Sequence, residues 1–127
     1  MKLEICTLCE YASEHNGRLT IVETFDAIVA SKFPWRAYFH FAAKISIESD
    51  QKEYQKIRML IMKSESLEIL FDTSGSYNYV DKTEKINLLA GFKGIIFSTP
   101  GEYKFQVYFD DDLVIDHPFK LMLKDGK

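Results

Sequence analysis

Long apolar runs are missing from this sequence. Stretches such as Gly94-Ile95-Ile96-Phe97 and Asn87-Leu88-Leu89-Ala90 stop far short of the ~20 residues that carry a helix across a bilayer. A membrane-spanning helix is therefore excluded, and no membrane partner is expected. A large excess of charge is missing too. The 16 Lys and Arg stand against 19 Asp and Glu, a net charge of −3, and such mild acidity argues against a nucleic-acid partner. The opening Met1-Lys2-Leu3-Glu4, with Glu10 following, does not have the basic-then-apolar layout of a secretory signal. Asn16, Asn78 and Asn87 each lack Ser or Thr two positions on, so no glycosylation sequon exists. The expected setting is cytoplasmic.

Cysteine is scarce. Cys6 and Cys9 form the one C-x-x-C, a spacing that invites a redox or zinc reading. Structural zinc takes four ligands, and a redox pair sits at a helix N-terminus after a strand. No second C-x-x-C or His pair accompanies these two. On a strand an odd separation turns two side chains to opposite faces, so the expectation is a pair of small buried or half-buried thiols. Also missing are a G-x-S-x-G elbow, an H-E-x-x-H and a Walker loop, which removes the commonest local signatures of catalysis. No cofactor is implied.

What is present is core material. Hydrophobic residues make up 46% of the chain and aromatics 14%, and a chain of this size buries roughly two thirds of its unfolded surface, enough to fold without metal or disulfide staples. Neither linker nor repeat nor low-complexity segment divides it, so residues 1–127 read as one domain.

The clearest pattern runs from Ala37 to Glu48, where Ala37, Phe39, Phe41, Ala43, Ile45 and Ile47 alternate with Tyr38, His40, Ala42, Lys44, Ser46 and Glu48. Period two places the first set on one face, which predicts a half-buried antiparallel strand. Tyr103, Phe105, Val107 and Phe109 repeat the pattern between Pro100-Gly101 and Asp110-Asp111-Asp112. A return strand follows through Leu113-Val114-Ile115 and Phe119 to Leu123, with Pro118 expected to bulge it or hold it at an edge. Asn16-Gly17 is a hairpin turn signal joining Leu3–Glu10 to Arg18–Phe25. Residues 53–63 fit helical and strand spacing alike; the β patterns on either side favour strand. Leu67, Ile69 and Phe71 continue the alternation. A surface loop is expected over Ser74–Lys85, with a short extended piece at Tyr77–Val80, and two short strands around Ile86–Leu89 and Phe92–Phe97. Together these predict an all-β, single-domain antiparallel β-sandwich of eight or nine strands, immunoglobulin-like in size and organisation.

Several local motifs resemble a known family. Cys9-Glu10-Tyr11-Ala12, Asn16-Gly17-Arg18-Leu19-Thr20-Ile21-Val22, Phe25-Asp26-Ala27-Ile28 and Phe33-Pro34 are similar to the opening of a family of small uncharacterised bacterial β-sandwich proteins. Phe92, Phe97, Gly101-Glu102-Tyr103-Lys104-Phe105 and the acidic turn before Leu113 resemble its closing strands. Glu10 stands where that family usually has Asp, and Cys6 is an addition. The resemblance implies a β-sandwich from a bacterium or phage, and it brings no catalytic set.

Candidate sites remain. Asp110, Asp111, Asp112 and Asp116 crowd four carboxylates together, a ligand type suited to calcium, although solvated turns favour Asp and no Gly-containing calcium loop surrounds them. His15, His40 and His117 fall on different predicted elements. Lys32-Phe33-Pro34-Trp35-Arg36-Ala37-Tyr38 gathers the only Trp with cations and aromatics, the residue types that anchor interfaces. Lys32, Trp35, Arg36 and Tyr38 are therefore interaction candidates, with Phe33 and Trp35 as a plug for the open end of the core the competing reading. If Ile57, Met59 and Ile61 face inward, Leu60 and Met62 face outward as a second apolar contact, or pack beneath the 74–85 loop. The expected function is a non-catalytic accessory protein that binds another protein or a copy of itself. A small-molecule or carbohydrate module stacking on Trp35 is the alternative, and an enzyme with a site assembled from distant turns the third.

Overall fold

The computed structural model describes residues 2–46, 56–76 and 85–124. Nine strands are present among them: β1 (Lys2–His15), β2 (Arg18–Phe25), β3 (Ala27–Ala30), β4 (Trp35–Ser46), β5 (Lys56–Lys63), β6 (Ile69–Ser76), β7 (Lys85–Phe97), β8 (Gly101–Phe109) and β9 (Asp112–Leu123). They build two sheets, ordered β2-β1-β4-β7 and β3-β9-β8-β5-β6. The expected all-β sandwich is what forms. Its pairing is antiparallel except between β3 and β9, which run parallel.

Alternation explains the layering. Ala37, Phe39, Phe41, Ala43 and Ile45 of β4 face Tyr103, Phe105, Val107 and Phe109 of β8 and Ile115, Phe119 and Leu121 of β9 in one buried cluster. Phe41 and Phe105 meet across the sheets with ring centroids 4.1 Å apart, and Phe39 and Phe97 both contact Phe119. Aromatic pairs of this kind add to the burial of their area.

Both predicted hairpins are present, β1–β2 around Asn16-Gly17 and β8–β9 around the aspartates. Residues 56–63 are strand, while Glu53–Gln55 and the extended piece expected at Tyr77–Val80 lie outside the described residues. The two short strands expected around 86–89 and 92–97 are instead one, β7. It carries an extra residue at Gly94, between the pairs Tyr38↔Lys93 and Ala37↔Ile95. Gly94 adopts φ +80, which a residue without Cβ reaches freely, so the chain bulges and continues without breaking. Pro118 does not make the bulge of its hairpin, which falls at Val107/Tyr108. It sits where β9 lacks an outer neighbour among the described residues, since β3 pairs only with Lys120–Leu123.

The β1–β2 hairpin does more than extend the first sheet. β1 pairs with β4 only as far as Cys9↔His40, while its pairing with β2 continues to His15↔Arg18. Beyond Cys9 the hairpin folds back as an arm across the sheet's outer face. Asn87 Nδ2, on β7 at the far side of β4, donates to Gly17 O at the arm's tip, 3.2 Å away. Beneath the arm lies a second apolar cluster of Cys9, Ala12 and Ala42, flanked by Leu19, Ile21 and Leu89. Small residues at its centre let two layers of backbone approach closely.

Leu60 and Met62 require a correction. They do alternate with the core-facing Ile57, Met59 and Ile61, yet they are only 3% and 9% exposed. The register sets Leu60 between Gln106 and Asp72, and Met62 between Lys104 and Ile69. Both are enclosed although they point away from the main core. Gln106 itself is buried, donating to Asp116 Oδ1 and accepting from the Tyr108 hydroxyl. No exposed apolar pair exists at this place.

Candidate functional site

Departure of β1 at Glu10 leaves a mark on β4. The partner on the other side, β7, follows β4 down to Trp35↔Phe97, but β1 stops at His40. Residues 35–39 therefore have a strand on one side only, among the described residues. The vacated place is a cleft of about 350 Å³, lined by Glu10, Phe25, β3 from Ala27 to Val29, and β4 from Trp35 to Phe39. Asp26, between β2 and β3, is the corner at which the chain leaves the first sheet for the second.

Each wall has its own character. Along β4, Ala37 and Phe39 point inward while Arg36 and Tyr38 point out, and Tyr38 is 64% exposed. Phe25 and Ile28 pack against the core and form an apolar floor. Val29 at 58% exposure is a large apolar side chain left open at the edge. The Arg36 stem lies across Gly94, where an added Cβ would stand 3.4 Å from its Cγ and Cδ. Trp35 and Phe33 are partly buried against the core, while Lys32 is exposed on the connecting loop. The sequence segment thus divides, with two aromatics packed and two side chains, Arg36 and Tyr38, presented. At the bend, the His40 ring lies 3.1 Å from Glu10 O through Nδ1 and edge-on to Tyr11.

The other candidates are dispersed. Asp110 closes its turn onto β5, its Oδ1 accepting from Lys56 N and its N–H donating to Lys56 O, while Asp116 is held by Gln106. Among the described residues no three His, Cys, Asp or Glu side chains gather as a metal group would. His15 is on the arm, His40 on β4 and His117 on β9. Cys6 packs against the main core and Cys9 beneath the arm, so the C-x-x-C is split between two faces. Burial pushes the Cys6 thiol up to about 11 and raises that of Cys9 as well. Neither has the lowered pKa of a reactive thiol.

Val29, Phe25 and Ile28 were not singled out from the sequence. The signal that points to them is indirect: the small Ala42 on the face of β4 that alternation assigns to solvent, between His40 and Lys44.

Among known proteins, a family model described as a family of unknown function (DUF6941) matches residues 4–122. A solved immunoglobulin-like protein from Pseudomonas aeruginosa is similar, with 10% identity, a TM-score of 0.49 and 94% of each chain covered. No curated protein matches. Among the described residues there is no helix long and apolar enough to cross a membrane.

Proposed function

We propose, for a chain that belongs to a family of unknown function and takes no activity from it, that it is a non-catalytic interaction module binding another protein at the β3–β4 cleft. The observation that carries this reading is the strand position vacated by β1. It leaves an apolar floor and the exposed Arg36, Tyr38 and Val29 together at one edge of the sandwich. Aromatic and Arg side chains around an apolar centre are the composition of interface anchors. The stacking alternative draws less support, because Trp35 packs partly into the core.

The test is site-specific photo-crosslinking in cells of the source organism. A photoreactive residue at position 38 is expected to trap a discrete protein, and one at Thr73 on the distant β6 is not. Arg36→Glu is expected to abolish the adduct. Equal labelling from both positions, or none from position 38, rejects the cleft as the binding surface.

A further inference from the structure

We propose that the vacated position beside Trp35–Phe39 takes an extended segment of the partner protein, its backbone pairing with the free edge of β4 and its side chains alternating apolar and acidic. The proposal rests on the interaction reading above and names the mode and chemistry of the partner.

The geometry of the edge leads there. Continued straight, the β1–β4 register would set residues 10–14 opposite residues 39–35, but those residues of β1 pair with β2 in the arm instead. What remains is a slot one strand wide and five residues long, about 17 Å at the rise of a β-strand. Alternate N–H and C=O groups of its β4 wall point into it. Such groups seek partners, and a strand supplies them in register.

The unpaired stretch of β9 shows what a protected edge looks like. β9 is unpaired on its outer side before Lys120, and Pro118 stands there without an N–H to donate. Asp116 and His117 further place polar groups on that stretch, as edges protected against pairing do. Residues 35–39 contain no proline or glycine.

The chemistry of the segment follows from the two faces of β4. Its inward side chains would lie beside Ala37 and Phe39, above Phe25 and Ile28, and must be apolar. Its outward side chains would flank Arg36 and Tyr38. In the lining Arg36 is the base and Glu10 the acid; beyond it Lys93, opposite Tyr38, and Lys32, on the adjoining loop, are exposed cations, and Asp26, between Phe25 and Ala27, is an exposed acid. Positive charge thus prevails at the outward rim, and charge complementarity selects acidic residues there.

The experiment measures binding of a capped, fluorescent hexapeptide of alternating valine and glutamate to the intact protein by anisotropy. A valine–lysine peptide serves as control, together with two versions N-methylated at alternate residues, one set odd and one even. An added strand donates from every second N–H. One methylated set is therefore expected to lose binding at least tenfold and the other to keep it. The lysine peptide is expected to bind at least tenfold more weakly, and Arg36→Glu to reverse that preference. Equal binding of both methylated sets overturns strand addition in favour of side-chain recognition. Failure of every peptide, when crosslinking at position 38 still traps a partner, overturns strand addition and leaves the interaction reading standing. A dimer by light scattering that the peptide dissociates assigns the edge to a second copy and overturns the choice of partner.

Discussion

His117 is the side chain whose surroundings fit it least. It lies opposite Phe105 on β9, half-buried, with Nε2 shielded from solvent and without a hydrogen-bond partner among the described residues. Burial lowers its pKa below the ordinary 6.5, and the Asp26 carboxylate only partly offsets this. The folded protein therefore binds that proton less readily than the unfolded chain, so stability is full above about pH 6.5 and falls as pH drops below it. Denaturant unfolding at pH 7.5 and pH 5.5 is expected to show a larger loss in the parent protein than in His117→Gln. Equal losses in the two proteins would show that this ring does not contribute to the pH dependence. The sequence placed His117 before Pro118 on the return strand. Its burial was not legible, because that depends on which sheet lies opposite.

At the scale of elements, the arm depends on small residues. Ala42 and Cys9 are fully buried on a face that alternation alone assigns to solvent, and the packed Leu19, Ile21 and Leu89 explain why. Ala42→Leu would force an extra side chain between arm and sheet, and overpacking of that kind costs about 1–3 kcal/mol. The arm is expected to lift before the core opens, so that Ala42→Leu speeds the reaction of the fully buried Cys9 with a thiol reagent and leaves that of the half-buried Cys6 unchanged. Thiol labelling followed by peptide mass spectrometry reads both rates. An equal change at both cysteines would show that the arm and sandwich open together. The inward faces of β4 and β8, the Asn16-Gly17 turn and the C-terminal hairpin were legible in the sequence because period two and turn chemistry are local signals, whereas the short β3 and the unbroken β7 were not. The exposure expected of Leu60 and Met62 failed because cover on the outer face of a sheet is set by tertiary packing, which alternation along one strand does not record.

For the whole molecule, stability concentrates where the sheets meet around Phe41, Phe105, Phe92 and Phe39. Phe105 is fully buried between layers, and Phe105→Ala is expected to cost about 3–5 kcal/mol in denaturant unfolding, without a site-specific effect on the cleft. A loss under about 1 kcal/mol would mean that the cavity collapses freely, contrary to the close packing of such interiors. The sequence by itself determined that the chain is all-β, which residues of β4 and β8 face inward, and where both hairpins turn, because each follows from alternation and turn chemistry within a few residues. The tertiary structure alone decided that β1 leaves β4 at Glu10, that β3 joins the opposite sheet in parallel, and that an unpaired edge lies open between them. Those outcomes depend on the arm burying its apolar side on Ala42 and Leu89, a contact between residues far apart in sequence that no local period records.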